Sequence, residues 1–92
     1  MKFTIESTVV LTTTNSNGQL VKISQGDMVN LKLDLPNMDL TWKDMYMSEY
    51  PDGWVKGRIY SVSPKGERIQ FFVAPCTYFK LYQKDILDIK EV

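Results

Sequence analysis

The sequence predicts a mostly-β single domain spanning residues 1–92. The expected form is a small barrel or sandwich of about six or seven short strands with little helix. Three observations predict it. Apolar side chains recur at every second residue rather than at helical spacing. β-branched and aromatic residues crowd those stretches. Glycine- and proline-bearing turns separate them at short intervals. At 92 residues, with 43% hydrophobic and 24% charged side chains, the chain can build one core and no more.

At the N-terminal end, Phe3, Ile5, Val9, Leu11 and Thr13 share one parity, with Ser7 as the polar exception. This reads as one half-buried strand. Ser16-Asn17-Gly18 then makes a three-residue hairpin loop with Gly18 in the left-handed position. That register sets Asn15 opposite Gln19, Thr13 opposite Val21 and Leu11 opposite Ile23. A two-residue Asn17-Gly18 turn would divide the apolar set between two faces. Val29, Leu31, Leu33 and Leu35 alternate with Asn30, Lys32 and Asp34, the clearest strand in the chain, and Pro36-Asn37 closes it.

Met38 to Tyr50 fits both periods, so the segment reads as an irregular crossing with about one helical turn. Its methionines Met38, Met45 and Met47, with Trp42 and Tyr46, form either a lid over an open end of the core or an adaptable binding surface. The lid reading ranks first. Tyr50-Pro51-Asp52-Gly53 turns the chain. Pro64-Lys65-Gly66 makes a second three-residue loop, setting Ser63 opposite Glu67, Ser61 opposite Ile69, Ile59 opposite Phe71 and Gly57 opposite Val73. Gly57 inside a strand marks a bend or a close backbone approach. Pro75 ends the next strand. Tyr78 to Tyr82 resumes one, and Gln83-Lys84-Asp85 forms a short 3₁₀-type turn before the last strand.

Composition excludes several function classes. Lys plus Arg and Asp plus Glu both number 11, which argues against a whole-chain basic nucleic-acid binder. Histidine is absent, removing His-based triads, metal sites and pH switches. One cysteine, Cys76, permits no internal disulfide and reads as a small buried or edge hydrophobe. No stretch reads as a membrane span or a secretory signal, so a cytoplasmic location is expected. Asn37, Asp39 and Asp44 lack calcium-loop spacing, and the glycines form no phosphate loop. Asp85 and Asp88 read as turn chemistry or a solvated face. No catalytic residue, cofactor or metal site is expected.

Residues 54–89 carry a resemblance. Trp-Val-Lys-Gly-Arg-Ile-Tyr-Ser-Val runs through a turn into Arg-Ile-Gln-Phe-Phe-Val, and later Tyr-Gln-Lys-Asp-Ile-Leu-Asp-Ile. This resembles the closing half of SH3-like and Sm-like small β-barrels, where a one-turn 3₁₀ helix leads to the last strand. The tail is also similar to that of YolD-like bacterial and phage proteins. Ser24-Gln25-Gly26-Asp27-Met28-Val29 resembles the Gly-Asp turn that opens many barrel strands. The resemblance implies an SH3-like barrel and a bacterial or phage origin.

One outward face stands out. Trp54, Lys56, Arg58 and Tyr60 lie on one strand, with Arg68 and Phe72 on its hairpin partner. Aromatics interleaved with cations can stack bases and neutralise phosphates, or anchor a protein. The reading that ranks first is that they simply pack, with Arg58 covering Phe72 by a cation–π contact and Trp54 or Phe72 lying under Met38–Tyr50. Charge is uneven: residues 27–52 carry a net of −4 and residues 56–68 a net of +3. Such asymmetry serves a partner, a second copy, or neutralisation within the barrel. The expected function is a non-enzymatic protein-binding or assembly module. A single-stranded nucleic-acid-binding barrel is the first alternative, and an accessory enzyme subunit the second. A protein partner ranks ahead of nucleic acid, no membrane partner is expected, and a homo-oligomer is compatible with exposed barrel edges.

Overall fold

The computed structural model describes residues 1–7 and 10–92. Among them are eight strands in two sheets enclosing one core. The first sheet holds β1 (Thr4–Ser7), β2 (Val10–Thr14) and β3 (Leu20–Ser24), in that order. The second holds β4 (Met28–Leu33), β5 (Trp54–Val62), β6 (Arg68–Val73), β7 (Thr77–Tyr82) and β8 (Ile86–Glu91). Its order is β7-β6-β5-β4-β8, so the final strand crosses back to pair with the first of the five.

The single strand expected over residues 3–13 is instead two. β1 and β2 pair antiparallel, with Ile5 opposite Leu11. This adds one strand to the count that the sequence pattern gives. Thr8 and Val9, which the pattern also assigns to that strand, lie outside the described residues.

The first hairpin takes its expected register: Leu11 faces Ile23, Thr13 faces Val21, and the Asn15 N–H donates to the Gln19 carbonyl at 2.9 Å. Gly18 has a φ of 76°, which an L side chain rarely adopts. Buried Asn15 builds the loop from within, its Oδ1 accepting from the N–H groups of Asn17 and Gln19 at 3.0 Å each.

The second hairpin departs from expectation. Ile59 does face Phe71, but Ser61 faces Gln70 rather than Ile69, and Val62 faces Ile69. Tyr60 is an extra residue on β5, a β-bulge. A straight ladder would have put the Ser61 hydroxyl against core residue Ile69. The bulge replaces it with Val62, which packs on the core, and turns Ser61 toward the Gln70 side chain at 2.8 Å. The loop is correspondingly longer, closed by the Ser63 N–H donating to the Arg68 carbonyl at 3.0 Å.

Met38–Tyr50 holds more helix than expected: α1 (Lys43–Glu49) spans two turns, after a 3₁₀ turn at Leu35–Asn37. α1 itself buries no residue fully. Met38 is buried, however, and Leu40, Tyr46 and Tyr50 pack on the core, with the Tyr46 ring 5.0 Å from that of Phe79. The segment thus covers one part of the core while Trp42 and Met45 remain exposed.

Inward residues of both sheets meet in one cluster: Leu11, Val21 and Ile23 from the first, and Leu31, Val55, Ile59, Ile69, Phe71, Leu81 and Ile89 among those of the second. Gly57 lies over the Phe71 ring. A Cβ there would stand 2.8 Å from Phe71 Cζ and 2.5 Å from the Phe72 carbonyl oxygen. The close backbone approach expected at Gly57 is therefore real, and only glycine permits it.

Asp85 and Asp88 both serve turns. The Asp85 carboxylate accepts the Tyr82 N–H at 2.8 Å, capping the 3₁₀ turn Gln83–Asp85. Asp88 accepts from the hydroxyl and N–H of Ser16, tethering the first hairpin loop to β8. Partial burial alone would raise the Asp88 pKa. The two Ser16 hydrogen bonds, the Ile89 N–H and the charge of Lys32 outweigh it, leaving the pKa below the usual carboxylate value. A lowered folded-state pKa means stability that is present above the unfolded pKa of about 4 and lost as pH falls through the folded value. Asp88→Asn should therefore melt below the wild type at pH 7, and the gap should narrow at an acid pH where the Asp88 carboxyl is protonated in both the folded and the unfolded chain. Thermal melts at both pH values check this.

Candidate functional site

All six side chains that the sequence groups as a face lie on the outer surface of the second sheet, but in two clusters. Trp54 pairs with Lys32 of β4, and the Lys90 ammonium of β8 sits 4.1 Å from its ring centroid. Neither Trp54 nor Phe72 needs Met38–Tyr50 as a cover, since α1 packs instead beside Phe79. The second cluster is larger. Arg58 faces Phe72 across β5 and β6, and Phe72 faces Tyr78 across β6 and β7. The Phe72 and Tyr78 rings are 4.9 Å apart, and Tyr78 meets Tyr60 edge-on at 5.3 Å. Such tilted and edge-on contacts hold rings in fixed orientations. Lys56 lies between the two clusters on β5.

Tyr60 keeps the outward parity of Arg58, but the bulge leaves it unpaired and sets Ser61, not Tyr60, opposite Gln70. Tyr60 and Tyr78 nevertheless expose 52% and 53% of their surface. They are positioned without being used up in packing. Arg58 does not lie over Phe72; its Nη1 donates to the Gly26 carbonyl at 2.6 Å. That carbonyl belongs to the turn joining β3 to β4, which is itself pinned to β5 by the Gly26 N–H donating to the Ile59 carbonyl at 2.6 Å. The fork of the guanidinium is therefore held in place with further N–H donors to spare.

Strand β7 supplies what sequence reading missed. Tyr78, Lys80 and Tyr82 alternate with buried Phe79 and Leu81, so their outward direction was readable from parity. Their neighbours were not, because strand order is not written in a periodicity. In the structure Lys80 faces Gln70 and Tyr82 faces Arg68, whose guanidinium carbon lies 5.2 Å from the Tyr82 ring centroid.

The outward side chains of β5, β6 and β7 thus combine four cations (Lys56, Arg58, Arg68 and Lys80) with five aromatics (Trp54, Tyr60, Phe72, Tyr78 and Tyr82). No carboxylate is interleaved with them. None of these four cations is ion-paired with a carboxylate among the described residues. The one ion pair among the described residues is Lys22 to Glu6 at 3.2 Å, on the first sheet. Asp27, the acid nearest in the turn, instead accepts the Ser24 N–H at 2.8 Å. Where Arg58 and Phe72 meet, a cleft of about 330 Å³ opens on the same face.

Among the described residues no group of three or more Cys, Asp or Glu could hold a metal ion. Cys76 is exposed in the turn between β6 and β7, an edge position rather than a buried one. No helix among the described residues is long and apolar enough to cross a membrane. Comparison with known proteins finds no matching family model, no matching curated protein and no matching solved structure.

Proposed function

We propose that this chain is a non-enzymatic binding module whose outer β5–β7 face takes a single-stranded nucleic acid. The observation that carries this reading is the set of four cations and five aromatics on one face with no carboxylate among them. Backbone phosphates need cations that are not already paired. Bases need exposed ring faces, and stacking on such rings contributes about 1–3 kcal/mol per base. Sequence alone ranks a protein partner ahead of nucleic acid. β7 reverses that order by adding one more cation and two exposed tyrosines without adding an acid.

Two further features support a small-barrel binding module. Strands β4 to β7 form a meander, and a 3₁₀ turn leads to a final strand, β8, that returns to pair with β4. A final strand reached through a 3₁₀ turn is also what the resemblance read from residues 54–89 implies. A fold of this kind hosts many functions, so the face carries the argument.

A labelled oligothymidine of ten nucleotides should bind and be released by salt. Each phosphate contact to a single strand contributes about −0.7 to the slope of log K against log salt. Four engaged cations predict a slope of about −3. Fluorescence anisotropy across a salt series measures it. Absence of binding at low salt would overturn the reading and return the face to a protein partner.

A further inference from the structure

We infer that the cleft beside Gly57 is a pocket for one nucleobase, the point at which the strand is gripped rather than merely stacked. This rests on the reading of the β5–β7 face as a single-strand binding surface. The cleft measures about 330 Å³ and opens where β6 leaves β5. Its rim is made by Met28, Lys56, Arg58, Phe72 and Ala74, all of the outward parity. Phe72 links it to the ring row of Tyr78 and Tyr60, at 4.9 and 5.3 Å.

Its chemistry is divided in the way a nucleotide is divided. Phe72 and the soft thioether of Met28 suit a flat π-system. Lys56 and Arg58 supply positive charge at the rim, and no carboxylate lines the cleft. Arg58 is already oriented by the Gly26 carbonyl at 2.6 Å, so little further ordering is needed when a phosphate arrives. A neutral apolar side chain from a protein would fill the floor and leave both cations unanswered. A base with its attached phosphate answers both parts at once.

The shape depends on Gly57. The ring of Phe71 fills the inner side of that residue so closely that a Cβ would stand 2.8 Å from Cζ. The floor therefore rests on a packed core.

The test uses the full chain and amide NMR spectra. Thymidine monophosphate in millimolar excess should shift the amides of Gly57, Arg58 and Ala74. Ala74→Trp, which fills the cleft from an exposed position, should remove those shifts and weaken oligothymidine binding about tenfold, an effect of the size one stacked base contributes. Met28→Glu, which adds a carboxylate at the rim, should do the same, and the dispersion of each spectrum reports whether the variant is folded. If oligothymidine binds but moves only Tyr60, Tyr78 and Tyr82, the pocket is wrong and the face stands. If oligothymidine does not bind at all, both fail together. Equal cleft shifts from an acetylated Asp-Phe dipeptide would assign the pocket to a protein partner and overturn the inference.

Discussion

Converting Lys56, Arg68 and Lys80 together to Glu should abolish oligonucleotide binding, with a loss of at least about 100-fold. Hydrogen bonds to charged groups are each worth about 1.5–3 kcal/mol. Three of the four cations on the face would be replaced by repelling charges. The salt slope should collapse toward zero in the same titration, because few counterions would remain to be released. Folding should be little affected, since all three side chains are exposed and none is ion-paired; surface changes of this kind usually stay within about 0.5 kcal/mol each. Lys22→Gln, which removes the ion pair with Glu6 on the first sheet, is the matched control and should leave binding unchanged. A triple variant that still binds with an unaltered slope would rule out this face.

Phe71→Ala should be the most damaging single change to the fold. Phe71 is fully buried, and its ring underlies Gly57 while its strand carries Phe72 and Arg68 on the opposite face. Truncating a buried Phe costs about 3–5 kcal/mol. That is a large share of the 5–15 kcal/mol typical of whole domains. Urea denaturation should show the midpoint falling with little change in slope. Oligonucleotide affinity should fall with it, because the base of the candidate site rests on this ring. A midpoint near the wild-type value would mean that the strands do not close over Phe71 as described.

Much of this arrangement was legible before the structure, and the exceptions have physical causes. The first hairpin was readable because loop chemistry and apolar parity agree there: Gly18 demands its turn position and Leu11, Thr13, Val21 and Ile23 fall on one side. The second was misread by one residue beyond Ile59. Its signal was present, since Ile59 and Val62 are three apart where a straight strand would space them by two. α1 was ambiguous because it buries no residue fully, so it leaves little amphipathic pattern to detect. The separation of β1 from β2 was hidden by a parity that runs through both. At the candidate site, parity placed all six side chains on one face. It could not show that β7 lies beside β6, and so it missed the third of the surface's cations and aromatics that Tyr78, Lys80 and Tyr82 provide.

The bulge at Tyr60 carries a consequence for how such a chain can diverge. With Tyr60 excised, Ile59, Ser61 and Val62 would follow one another opposite Phe71, Gln70 and Ile69, an uninterrupted ladder. The interior is therefore indifferent to whether that residue is there. Outer surface and solvent-shielded architecture are uncoupled at this position, so an outward ring can be gained, lost or exchanged by a one-codon indel while Ile59 and Val62 keep their partners.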